Sequence, residues 1–600
     1  MQTQILKKLF FLLNSKERLL VIYLFIMAMV VAIFEVIGIA SILPFLAILS
    51  SPEIIDTNAL LSNVFQISTT FGLQTKSQFL LALGVLVFVL FIISIFFRAL
   101  MVFLLLRFCN MREHSIGKRF IEGYLHQPYS WFLNRNSSDL GKNILSEVKA
   151  IIDSGVRPIT TLISQTVVVV VLIILLIAVN LKIALIVGLS LSFIYGLLYQ
   201  LVKAYLKNTG EERFMANQFR FKSVLEAFGA IKELKVSNLE QRYIKNFSKF
   251  SKIHAKHQAS AQIISQLPRF ILEGVAFGGL MLIILLLMRQ NNNFNHILPI
   301  LALYALAGYR LMPAMQQIYS SITQLRFIGP TLDKIYNDLK SLQVYHYQNN
   351  ESLVNFKKSI DLENIDYIYP ESSRTNLKNI NISIKSNSTV GLVGLTGCGK
   401  TTTVDLILAL LEPTKGTLKV DGKIINNDNR KAWQSLISYV PQEIYLADDT
   451  ISSNIAFGAD KKNIDQVAVE RAAKIAQLHE FVTNELPGQY QTHVGERGVR
   501  LSGGQRQRIG IARALYHNPK LLIFDEATSA LDNITENLVM ETLYSLNKDI
   551  TIIIIAHRLD TVKNCDNIFL LENGEIKSQG NYNELSQKNK KFQAIEKGKF

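Results

Sequence analysis

The first 330 residues contain six apolar stretches, at about 19–49, 78–106, 159–180, 182–203, 264–289 and 297–325. A membrane-crossing helix needs about 20 mostly apolar residues, and each stretch reaches that length. Beyond them no segment does, and strand-like runs alternate with helix-like ones. The chain is therefore read as an α-helical membrane domain of six spans (19–330), a linker (331–354) and an α/β domain (355–600). Composition agrees: 49% hydrophobic and only 18% charged residues is too apolar for an ordinary soluble protein.

Residues 1–18 precede the first span. Their apolar run continues far past a signal peptide's short core, with no small-residue cleavage site at the right distance. They read as an amphipathic helix at the membrane surface. The segments 107–158 and 204–263, read as long loops, are rich in Lys and Arg, whereas 51–77 has only Lys76. The positive-inside rule then places both termini and both long segments in the cytosol. Much of the net charge of +16 follows from that bias and from attraction to anionic lipid, so nucleic acid is not expected as a partner. Cys109, Cys398 and Cys565 fall on the cytosolic side, where a disulfide scaffold is not expected.

The second half names its chemistry. "VGLVGLTGCGKTTT" holds Gly394, Leu395, Thr396, Gly397, Cys398, Gly399, Lys400, Thr401 and Thr402, a G-x-x-x-x-G-K-T phosphate loop between a strand-like and a helix-like run. Its backbone N–H groups suit a polyphosphate at a helix N-terminus. Lys400 is expected at the β- and γ-phosphates of ATP and Thr401 on Mg²⁺. "LLIFDEATSALD" is an apolar strand ending in two acids: Asp525 for the Mg²⁺ shell, Glu526 to polarise the attacking water.

Between them lies "VRLSGGQRQRIGIARAL", with Ser502, Gly503, Gly504 and Gln505. With this signature, and motifs in family order and spacing, the stretch 355–600 resembles the ABC-type ATPases. The resemblance implies a P-loop ABC ATPase domain behind an exporter-type membrane domain. It implies that Tyr369 stacks on adenine and that Gln442 senses Mg²⁺ and the γ-phosphate. It assigns His557 to the γ-phosphate and "SALD" (529–532) to the crossing between paired ATPase domains. In the family one domain's signature completes another's ATP site. One copy of each motif and six spans thus imply a homodimer with two composite sites. Segments 126–140 (Tyr129, Trp131, Phe132) and 224–238 (Phe228, Ile231) resemble coupling helices, and "VGERG" (494–498) an exporter-specific segment.

Four charges inside spans bear on cargo: Glu35, Arg98, Arg269 and Arg310. At 1.5 Å per residue, Arg310 and Glu35 lie about 20 Å from the outer end of their spans, and Arg98 and Arg269 about 30 Å. Charges at such depths are costly unless paired or facing water. Either Glu–Arg pairs lock helices and Arg98 and Arg269 snorkel to the inner interface, or the arginines line a cavity for an anionic headgroup. Glu35 is expected to neutralise or orient an arginine, and Gly38 and Pro44 to let the span bend.

"IFEVIGIASILPFLAILSSPE", with Arg-bearing second, fifth and sixth spans, resembles the PglK-type ABC flippases of lipid-linked oligosaccharides, as does "YLHQPYSWFLNRNSSDL". That resemblance implies a polyprenyl-pyrophosphate glycan, a lipid-linked anion, as cargo. It is moved from the cytosolic to the outer leaflet of a bacterial cytoplasmic membrane by a homodimer in contact with membrane lipid. The rival reading is an exporter of amphipathic drugs, peptides or lipid A-like lipids. "NALLSNVFQISTTFG", in 51–77, is either a short outer amphipathic helix resting on lipid tails or a solvated connector.

Overall fold

The computed structural model describes residues 2–50, 52–70, 73–179, 181–271, 273–274, 277–278, 281, 294–342, 354–370, 372, 374–527, 531–545, 549–556 and 558–596. The chain divides into two compact units. Met1–Gln127 with Arg135–Tyr345 form the first, and Pro128–Asn134 with His346–Phe600 the second.

The first unit is helical. It opens with α1 (Gln2–Leu12), α2 (Ser15–Ala40), α3 (Ile42–Ser50) and α4 (Ala59–Thr70). A 50-residue helix, α5 (Lys76–Leu125), follows, and α6 (Tyr129–Leu133) belongs to the second unit. Then come α7 (Arg157–Val179), α8 (Leu181–Gly229), α9 (Ile231–Val236), α10 (Glu240–Gln266) and α11 (Phe294–Ser341).

Among the described residues four helical stretches are long and apolar enough to cross a membrane: Ser15–Leu49, Lys76–Leu125, Ser137–Val179 and Gly188–Gly229. The predicted sixth span lies within α11, and half of the predicted fifth falls outside the described residues. The first span breaks at Ser41, whose hydroxyl donates to the Gly38 carbonyl at 2.9 Å. Pro44 then sits in the opening turn of α3, where its missing N–H has no intrahelical partner to lose.

The segments 107–158 and 204–263 are not loops but largely helix. At about 1.5 Å per residue, α5 is about 75 Å long, far more than the roughly 30 Å of hydrocarbon. Its apolar half exposes Leu81, Val85, Phe88 and Phe91. Its basic half stays helical because Ile116, Phe120 and Tyr124, one turn apart, are buried, with Lys118–Glu122 an i,i+4 pair. Here a buried carboxylate is matched on both oxygens, while Arg213 Nε and Asn217 Oδ1 are buried without a hydrogen-bond partner among the described residues. Glu147, fully buried, accepts from Arg213 at 2.6 Å and Asn217 at 2.6 Å, and Arg213 also donates to Thr331 at 3.0 Å. Half-buried Arg112 pairs with buried Glu17 at 2.5 Å and ties α5 to the start of α2. Outside the spans, α4 packs Phe65 edge-on to Phe79 at 5.3 Å and leaves Val64 and Ile67 exposed.

The second unit carries two sheets. The antiparallel one has order β2-β1-β4-β5, from β1 (Ser359–Tyr367), β2 (Leu377–Lys385), β4 (Lys415–Val420) and β5 (Lys423–Ile424). The other has order β10-β9-β3-β8-β7-β6 and is parallel except for its β9–β10 edge. Its strands are β3 (Thr389–Gly394), β6 (Ile437–Val440), β7 (Leu521–Asp525), β8 (Thr551–Ala556), β9 (Asn567–Glu572) and β10 (Glu575–Gly580). Central β3, β7 and β8 are buried along their whole length. Parallel strands covered on both faces need such unbroken apolar runs. Both β3 and β7 deliver their C-terminal residues to one edge of the sheet, where the phosphate loop and the two acids begin. Cys109, Cys398 and Cys565 are free and buried.

Candidate functional site

The phosphate loop leaves β3 at Gly394 and enters α12 (Lys400–Ile407). Glycine is required at two points. A Cβ on Gly394 would lie 2.2 Å from the Leu571 carbonyl oxygen. Gly399, with φ of +107°, would put one 2.5 Å from Leu377 Cδ2. Leu395, Thr396, Gly397 and Thr401 are exposed and Cys398 is buried. Lys400 is buried and its Nζ donates to the carbonyls of Gly394 at 2.8 Å and Leu395 at 3.3 Å. The Thr402 hydroxyl meets that of Tyr369 at 3.0 Å, so this aromatic stands directly beside the loop's helix.

At the end of β7, Asp525 is 8% exposed and its Oδ2 accepts from the Tyr439 hydroxyl at 3.0 Å. Glu526 follows with a left-handed backbone (φ +50°), which turns it off the strand. Its Oε2 accepts from Gln442 Nε2 at 2.8 Å. Asp405, one turn below Thr401 on α12, has its carboxyl pushed up to about 6 by burial and, secondarily, by the Asp525 charge. Burial beside Asp405 and Tyr369 raises the Tyr129 phenol of α6, which thus lies in the same neighbourhood.

A second cluster is the start of α13 (Gly503–Tyr516). Ser502 caps it: its hydroxyl accepts from the Gln505 N–H at 3.2 Å, while Gln505 Oε1 accepts from the Ser502 N–H at 2.8 Å. Gly503 and Gly504 form the first turn, and Arg506 holds the approach by donating to the Leu501 carbonyl at 2.9 Å. Among the described residues no hydrogen bond or ion pair joins this cluster to the phosphate loop. His557 and Ser529 lie outside the described residues; Asp532, at the end of that motif, accepts from the Thr535 N–H at 3.0 Å.

In the membrane unit, buried Glu35 is ion-paired with Arg310 across 275 residues of sequence. Arg269 donates to Glu273 at 2.8 Å on a largely exposed face. Arg98 is exposed, next to Phe97, which stacks on Phe34 at 4.6 Å. No described hydrogen bond or ion pair connects Arg98 or Arg269 to the Glu35–Arg310 pair. Phe228, Ile231 and Val236, around α9, are exposed.

The donor set suits magnesium. A threonine hydroxyl, a buried carboxylate and an amide are hard oxygen ligands, and Thr401, Asp525 and Gln442 supply them around an exposed loop at a helix N-terminus.

Comparison with known proteins agrees with this geometry. Residues 377–529 match the ABC transporter family model, and 19–311 match that of the ABC transporter transmembrane region. The ATP-dependent lipid A-core flippase of Cupriavidus pinatubonensis is 30% identical over 469 residues, 77% of this chain and 78% of that one. The leukotoxin translocation ATP-binding protein LktB of a Pasteurella haemolytica-like species is 38% identical over 48% of this chain. The heterocyst differentiation ATP-binding protein HepA of Nostoc is 37% identical over 46% of it. Those two matches span 40% and 45% of the relatives' lengths. A solved bacterial Atm1-family ABC exporter with ATP bound shares the fold, with a TM-score of 0.77 over 97% of this chain and 98% of that one at 22% identity.

Fold and site thus define an ATP-binding P-loop ATPase domain fused to a multi-pass helical membrane domain. The chain belongs to the ABC transporters, in the exporter arrangement, a class in which ATP hydrolysis is coupled to transport.

Proposed function

We propose that the chain is a homodimeric flippase of the bacterial cytoplasmic membrane, both termini cytosolic, that moves a polyprenyl-pyrophosphate-linked oligosaccharide to the outer leaflet. The observation that carries the cargo class is Arg310, a guanidinium held inside a span by Glu35. Counted with Arg98 and Arg269, and against Glu35 and Glu273, the charges singled out within the spans are three cations and two anions, an excess of one positive charge per protomer. Doubled in the dimer, that excess suits a pyrophosphate. The PglK-type sequence resemblance points the same way.

In this reading Tyr369 stacks on adenine and Lys400 leaves its resting bonds to the Gly394 and Leu395 carbonyls for the β- and γ-phosphates. Thr401, Asp525 and Gln442 would hold Mg²⁺, which would supply positive charge against that developing on the phosphates. Glu526 polarises a water, taking its proton as the oxygen bonds to the γ-phosphorus. The bond from that phosphorus to the β–γ bridging oxygen breaks, leaving ADP and phosphate. The family resemblance assigns His557 to the γ-phosphate. Ser502, Gly503, Gly504 and Gln505 close the site on the second copy, in keeping with their separation from the loop of their own chain.

The second reading is export of lipid A-like lipids, amphipathic drugs or peptides. Similarity to the lipid A-core flippase over 77% of the chain favours it. Proteoliposomes with labelled polyprenyl-pyrophosphate oligosaccharide and labelled lipid A, assayed with ATP and with a non-hydrolysable analogue, separate the two. ATP-dependent flipping of the first and not the second is the expected result. The reverse would move the assignment to lipid export.

A further inference from the structure

Strands β6 and β7 run parallel with Tyr439 opposite Ile523 and Val440 opposite Phe524. From that register the Tyr439 phenol reaches two residues along the neighbouring strand to donate to Asp525 Oδ2 at 3.0 Å. Three residues later Gln442 donates to Glu526 Oε2 at 2.8 Å. The end of β6 and the residues after it thus supply a donor to each of the two adjacent acids. Asp525 is 8% exposed, and a carboxylate buried to that extent needs such donors. A hydroxyl on one oxygen also fixes rotation about the Cβ–Cγ bond, which decides where the carboxylate presents its lone pairs.

We propose that Tyr439 is a positioning residue for the metal-holding carboxylate of Asp525, setting the affinity of the site for its divalent cation. The inference rests on the Mg²⁺-ATP reading above. Partners that orient metal ligands are typically worth 10- to 100-fold in metal affinity. Tyr439→Phe keeps the ring that fills the space and removes only the donor.

The test is Mn²⁺ binding to the full-length transporter loaded with a non-hydrolysable ATP analogue, followed by electron paramagnetic resonance. Tyr439→Phe should weaken Mn²⁺ by about 10-fold while analogue affinity in EDTA stays at the wild-type value and any fall in Tm is reversed by the variant that restores a donor. Its ATPase should need more Mg²⁺ for half-maximal rate and recover most of kcat at saturation. Tyr439→4-aminophenylalanine, which restores a donor, should regain affinity. Mn²⁺ affinity within twofold of wild type in Tyr439→Phe overturns the proposal. So does a loss of metal-free analogue binding or of Tm that the 4-amino variant shares, since the role is then structural. Wild type that binds the analogue but no Mn²⁺ overturns the metal reading itself, and this inference with it.

Discussion

The two units solve the same problem, holding charge away from water, in opposite ways. In the ATPase unit the charges are neighbours in sequence: Asp525 and Glu526 end one strand, and Gly394–Thr402 is one loop running into one helix. Tyr439 on the adjacent strand and Gln442 just beyond its end donate to these acids from 86 and 84 residues away, but the acids themselves and the loop they serve are contiguous motifs. In the membrane unit the deepest pairs are made by side chains on different helical segments, with no contiguous motif to mark them. Glu35 and Arg310 pair across 275 residues, and Arg213 with Glu147 across 66. Local motifs make chemistry legible; long-range pairs join helices, and their chemistry is hidden until the helices are packed.

The strongest test of this contrast is Glu526→Gln. Loss of a general base costs about 10²- to 10⁴-fold, so steady-state phosphate release should nearly vanish while ATP stays bound. Turnover equal to wild type would break the assignment of the strand-end acids.

Next in size is the intramembrane pair. Arg310→Ala leaves the buried Glu35 carboxylate without its cation, and breaking a buried pair costs about 3–5 kcal/mol. Its melting temperature in detergent should fall well below wild type. The double variant Glu35→Gln/Arg310→Gln should recover most of that loss. A single variant as stable as wild type would mean that the pair does not bind the helices together.

The smallest expected effect concerns Asp405. Its folded-state value, raised from 3.8 to about 6, makes the ionised carboxyl a cost to the folded state. That cost is absent below about pH 4, grows between the two values and is complete above pH 6. The shift corresponds to about 3 kcal/mol by linkage, which partial exposure reduces to about 1 kcal/mol. In metal-free buffer Asp405→Asn should raise Tm by about 2–4 °C at pH 7.5, and the gain should disappear near pH 4. A constant gain across that range would exclude the charge as its cause.

How much was legible follows the same division. The helical membrane domain, the P-loop α/β domain and the identity of the phosphate-loop and strand-end residues were readable, because each motif is contiguous. The S-x-x-Q capping box at Ser502–Gln505 was equally open to view in "LSGGQ" but overshadowed by the signature it belongs to. The Tyr439–Asp525 bond was not readable, since it depends on β6 lying beside β7 and on a register that the residues do not announce. Segments 107–158 and 204–263 read as loops because they lie between the apolar runs, and their basic residues place them in the cytosol. Charge sets the side of the membrane, but helix persists wherever one face still buries Phe120 or Phe214. The break in the first span falls at Ser41, between the two residues, Gly38 and Pro44, whose backbone properties suggested a bend.

The most direct test of the central claim, that arginines inside the spans hold an anionic lipid headgroup, is flipping of labelled polyprenyl-pyrophosphate oligosaccharide in proteoliposomes by wild type and by three variants, Arg98→Gln, Arg269→Gln and the paired Glu35→Gln/Arg310→Gln, with ATP hydrolysis followed in the same vesicles. The account predicts ATP-dependent flipping by wild type and its loss in the variants while hydrolysis continues. Undiminished flipping in all three variants, or none by an actively hydrolysing wild type, would contradict it.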